Sequence, residues 1–169
     1  HLRCGDSLHG ERLPAVREGL RNLGVLFQRD ELERLARAAS NLAQVSDLTD
    51  VDLAEARLSK DLARQADDEV APVHALLDFW RAMRWLLPAW PVVSAGKLGK
   101  VTDEPMRQAL AELLPPIRNL FAALNEATLE GVGQGVQAAN ELIARARALA
   151  ARERFFHWWT AFPTVFDAD

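Results

Sequence analysis

Apolar residues return at helical spacing through residues 29–154, and the chain on either side of that stretch drops the pattern. This contrast constrains the fold more than any other feature of the sequence. After Arg29-Asp30, Leu32, Leu35, Ala36, Ala39, Leu42 and Ala43 form the stripe of an amphipathic helix. A second helix is expected from Thr49-Asp50, a good N-cap pair, with Val51, Ala54, Leu58, Leu62 and Ala66 on one face. Pro72 suits the first turn of a third, which carries Val73, Leu76, Leu77, Trp80, Met83 and Leu87 and ends at Pro88 and Pro91.

Residues 88–101 hold two prolines and two glycines and read as a connection. Thr102-Asp103 caps a fourth helix with Pro105 in its first turn and Met106, Ala109, Leu110 and Leu113 inward. Pro115-Pro116 separates it from a fifth, marked by Ile117, Leu120, Phe121 and Leu124. Gly131, Gly133 and Gly135 precede a sixth, from Val136 to about Arg154, with Ala139, Ile143, Ala146 and Ala150 inward. The expected fold is mainly α, a bundle-like domain of about six helices with non-helical ends. Its parts are a strand end and lead-in over 1–28, the helical segment over 29–154, and an aromatic tail over 155–169.

Composition narrows the function. The chain has 169 residues, enough for one domain with a real core. Its net charge of −4 is opposite to that of a domain that grips DNA or an anionic membrane unaided. Residues 29–69 set six basic side chains against eleven acidic ones, as a solvated helix face does. One cysteine, Cys4, excludes an internal disulfide and points to a reducing, cytoplasmic compartment. No apolar run reaches the length of a membrane span, and residues 1–10 lack the apolar stretch of a secretion signal. A chain beginning at His1 reads as a piece of something longer.

Three constellations could carry chemistry. Gly5-Asp6-Ser7-Leu8 matches the serine block of GDSL esterases, but no histidine toward the C-terminal end, where the family has its partner pair, follows an Asp three residues earlier. The tail, Glu153 to Phe166, is dense in aromatics. Trp80-Arg81-Ala82-Met83-Arg84-Trp85, with Trp90 beyond it, could be core aromatics beside solvated arginines or a base-stacking, phosphate-pairing face. In the second reading Arg81, Arg84, Lys97 and Lys100 are the DNA-contact candidates. No spacing of histidine and cysteine suggests a metal set.

The first two constellations together resemble large adenine-N6 DNA methyltransferases of restriction–modification and phage-defence systems. In that family a strand ends in a line like LRxGDSL, here Leu2 to Leu8. A variable helical segment follows, then a line like FHWPLEFPEVF, here Phe156 to Phe166, with Trp159 in place of the usual Pro and Thr164 in place of Glu. The two lines together span about twenty residues, in the expected order. An Asn-Pro-Pro-aromatic active-site motif comes next in the family and is not in this chain, where Pro115-Pro116 follows Leu114.

The resemblance implies a helical insertion in a parent α/β enzyme that uses S-adenosylmethionine, with no catalytic residue in this chain. The ends would then belong to the parent's sheet. Asp6 would accept a hydrogen bond from the cofactor's adenine amino group, at a strand end facing the nucleotide crevice. The isolated chain is expected to be inactive and to bind the cofactor negligibly. Its implied partners are the rest of the parent and, through it, DNA, with no membrane. The exposed-area cost of six large aromatics predicts that the tail folds back on the helices or pairs with another copy's tail. A non-enzymatic helical interaction module is the alternative reading.

Overall fold

A computed structural model describes residues 10–22, 29–48, 53–87, 90, 101–113, 124, 129, 131 and 133–165. Six helices lie among them, and no strand. They are α1 (Leu13–Asn22), α2 (Arg29–Asp47), α3 (Leu53–Leu86), α4 (Glu104–Leu113), α5 (Gln134–Glu153) and α6 (Trp158–Ala161). The mainly helical expectation holds, but the helices are divided differently from the sequence reading.

The expected second and third helices are one. α3 runs 34 residues with Pro72 inside it. An internal proline removes one backbone bond and crowds the preceding turn, at a cost of about 3 kcal/mol. Burial on both sides offsets that cost, because Ala66, Val70, Val73, Leu77 and Trp80 continue one buried stripe in unbroken phase across it. The stripe fades toward the N-terminus. Leu58, expected to face inward, is 50% exposed.

The lead-in also departs from expectation, since residues 13–22 form a helix. Leu13, Val16 and Leu20 are buried on one face of α1. A ten-residue helix is marginal alone, so its packing matters. Gly19 packs against the Trp80 indole, and a methyl group there would overlap the ring. Trp90 also packs on Trp80, edge to face with centroids 4.9 Å apart.

α2 and α3 form an αα-hairpin. α4 lies against α5, and α5 lies against α3. The expected cap of α4 is present, with Asp103 Oδ1 accepting from the Met106 amide at 3.0 Å. The expected sixth helix is α5, buried on Ala139, Leu142, Ile143, Ala146 and Ala150. The fifth falls outside the described residues except for Leu124, a buried helical residue whose carbonyl accepts from Arg147 at 2.9 Å. No described helix is long and apolar enough to cross a membrane.

The tail is folded back and partly helical, contrary to its irregular reading. Arg154 ends α5 in the left-handed region (φ 51), and its amide bonds the Ala150 carbonyl. That reversal sends Phe155, Phe156 and His157 into buried positions. Among the described residues of the tail, Phe155 and Phe156 are buried and Trp159 and Phe162 partly so, while Trp158 is 44% exposed and stacks on Phe162.

Candidate functional site

One polar cluster, built on a buried histidine, draws on three separated parts of the chain. His74 and Asp78 stand one turn apart on α3, so their side chains share a face. His157 caps the start of α6, and Thr160 follows three residues later with its hydroxyl donating to the His157 carbonyl at 3.1 Å. The lead-in contributes Glu11 through both its amide and its side chain.

His157 is wholly inaccessible to solvent. Its Nδ1 lies 2.9 Å from the Glu11 amide nitrogen, which can only donate. Nδ1 therefore accepts, and in the neutral ring the proton sits on Nε2. That proton is donated to Asp78 Oδ1, 2.9 Å away. The hydrogen-bond network thus assigns the tautomer.

His74 is fixed by similar logic. The Thr160 hydroxyl gives its proton to a carbonyl, so at 2.8 Å it accepts from His74 Nδ1. The remaining nitrogen, Nε2, faces Asp78 Oδ2 at 3.6 Å. One carboxylate thus stands between two imidazoles whose rings meet edge to face, 5.1 Å apart.

Two chemical readings can be tested on this geometry. His74, Asp78 and His157 bring ligand-type atoms within 4.8 Å of one another, as a metal site would. A ligating histidine, however, normally carries a proton on its second nitrogen and donates it. In His157 that nitrogen already accepts from Glu11, so Nε2 has no lone pair to offer. The cluster does not fit a metal. Asp78, His74 and Thr160 also follow the order of a hydrolytic triad. Thr160 is 2% exposed and its proton points to a carbonyl, so no substrate reaches a free hydroxyl. The cluster is a joint that binds chain to chain.

Gly10 tightens the joint, because a side chain there would run into the Phe156 carbonyl. Glu11 tightens it again. Its carboxylate is buried and faces Arg81 and Arg84 of α3, each 3.4 Å away. A cavity of ≈ 460 Å³ opens beside Asp78 between α3 and α5, walled by Phe79, Ile143 and Phe155 with Arg147 among its lining groups.

Arg81 and Arg84, two of the DNA-contact candidates, are thus turned toward Glu11, with side chains 19% and 44% exposed. Asp6, Lys97 and Lys100 lie outside the described residues, as does Ser7. The joint itself went unmarked in the sequence apart from one clue, the histidine inside the FHW line. His74 and Asp78 show no more than a shared helix face, and nothing local tells that a residue 79 positions beyond Asp78 completes it. No protein-family model, curated protein or solved structure matches the chain.

Proposed function

We propose that this chain is the helical insertion of a cytoplasmic, S-adenosylmethionine-dependent DNA adenine-N6 methyltransferase of the restriction–modification or phage-defence class. One observation carries the reading. The Glu11 amide and the His157 ring are hydrogen-bonded although 146 positions separate them. A segment inserted in a host domain must leave and re-enter at one place, and neighbouring ends make insertion tolerable. The two segments of this joint are the residues just after the LRxGDSL-like line and those inside the FHW-like line, the elements on which the resemblance rests.

In this reading the parent transfers a methyl group to the amino nitrogen of an adenine turned out of the duplex. The chain supplies scaffold, and Asp6 holds the adenine end of the cofactor. One charge-assisted hydrogen bond contributes about 1.5–3 kcal/mol, against the roughly 8 kcal/mol of micromolar binding. The isolated chain is therefore inactive and binds S-adenosylmethionine negligibly. Any DNA contact would fall first to Lys97 and Lys100, because Glu11 holds the two arginines, and it would weaken steeply with salt.

The test is methyl transfer by the full-length gene product. Labelled S-adenosylmethionine and DNA should yield N6-methyladenine, and an Asn-Pro-Pro-aromatic motif should follow Asp169 in the reading frame within roughly a few tens of residues, as the resemblance implies. A reading frame without that motif and a product without transfer would leave the non-enzymatic interaction module.

A further inference from the structure

We infer that the contact between His157 and Glu11 is an acid-released latch, a property of this chain that does not depend on the function proposed above. The argument rests on which atoms donate. At the joint a backbone amide, a permanent donor, points at His157 Nδ1. A proton added there sets donor against donor at a ring wholly inaccessible to solvent, and no rotation repairs it. Flipping the ring would turn Nδ1 toward Asp78 and again present a protonated nitrogen to the amide. The Glu11 amide must leave, and the lead-in separates from the tail.

His74 responds in the opposite sense. Its Nδ1 already donates to Thr160, and its Nε2 faces Asp78 Oδ2. Protonating Nε2 breaks neither contact and adds an ion pair. The same carboxylate is thus flanked by one histidine that tolerates acid and one that does not.

Charged groups on every neighbouring element bear on His157. From α3, Asp78 favours the imidazolium directly, while His74 opposes it once protonated. Arg81 and Arg84 oppose it from the same helix, though Glu11 partly neutralises them from the lead-in. From α5 and its end, Arg147 and Arg154 line the cavity beside Asp78 and also oppose it. The geometry decides the direction. Acid opens the latch.

The test is amide hydrogen exchange on the whole chain between about pH 8 and about pH 5, the range in which imidazole changes charge. Intrinsic exchange rates are divided out and α5 amides serve as the internal reference. Protection of the Glu11 amide should fall about tenfold or more as the pH drops, the loss of one hydrogen bond, while α5 holds. In His157→Asn, whose Oδ1 accepts in place of Nδ1 and does not titrate, Glu11 protection should not change with pH relative to α5. In His74→Gln the wild-type fall should persist.

Wild-type protection that stays level against α5 overturns the inference. So does an equal fall in His157→Asn, or its disappearance in His74→Gln. Should His157→Asn not fold, nitrogen NMR of the wild-type ring decides. Conversion of His157 to imidazolium together with Glu11 release supports the latch, and any other pairing of the two events rejects it.

Discussion

The two halves of α3 belong to one unbroken helix and live under different rules. Over residues 53–69 it buries only Ser59 and Ala66, leaves Leu53 and Leu58 in solvent, and is rich in charge. Over residues 70–86 it buries Val70, Val73, Leu76, Leu77, Phe79, Trp80, Ala82 and Met83. The second half also receives the lead-in at Arg81 and Arg84 and the tail at His74 and Asp78. Continuity of the backbone ladder, then, says little about where a helix contributes stability. Neighbours decide that.

The sharpest way to break this contrast is to truncate one large side chain in each half. Trp80→Ala should cost about 3–5 kcal/mol, through lost transfer energy and the cavity left beside Trp90 and Gly19. Leu58→Ala should stay within about 0.5 kcal/mol, as at an ordinary surface site. Chemical denaturation of both variants checks the pair, and equal losses would erase the distinction.

Two aspartates give a finer comparison. Asp78→Ala strands the buried Nε2–H of His157 and should destabilise by about 1–3 kcal/mol. Asp61 pairs with Arg64 where both side chains are more than half exposed, so Asp61→Ala should be close to neutral.

Such differences show what the residues reveal in isolation and what they do not. Thr102-Asp103 announces the start of α4, because a cap is local chemistry between a side chain and an amide three residues on. Pro72 misleads, since the rule that proline opens a helix weighs only the backbone. The continuous phase of Ala66, Val70 and Val73 was the better guide. α1 was missed although Leu13, Val16 and Leu20 keep helical spacing, because so short a segment is helical by virtue of Trp80, which is remote in the chain. The joint was least legible of all. His157 matters for what it accepts from Glu11 and gives to Asp78, and neither partner is near it in sequence.

The smallest of these contrasts lies where the halves meet. Arg37 donates to the Glu69 carboxylate at 3.0 Å, and that bond chiefly holds the carboxyl below its ordinary value of 4.5. A lowered carboxyl contributes stability that is complete above the unfolded value and is lost as pH falls through the folded one. Here the loss should be about 0.2–1 kcal/mol below pH 4.5 and should shrink in salt, because Arg37 is half exposed. Thermal melts of Glu69→Gln and wild type, converging as the pH is lowered, would confirm it. A gap that persists at acid pH would assign the effect to something other than charge.

The separation of 146 positions across the joint also sets a folding order. Closing a loop of that length costs about 4 kcal/mol in chain entropy, more than the roughly 1 kcal/mol that one hydrogen bond returns. The joint cannot nucleate the fold. α3 and α5 must first assemble and bring the two segments within reach, so these contacts form after the rate-limiting barrier. Substitutions at Gly10, Glu11 or His157 should then leave the refolding rate nearly unchanged and accelerate unfolding, making the joint the place where the domain first comes apart.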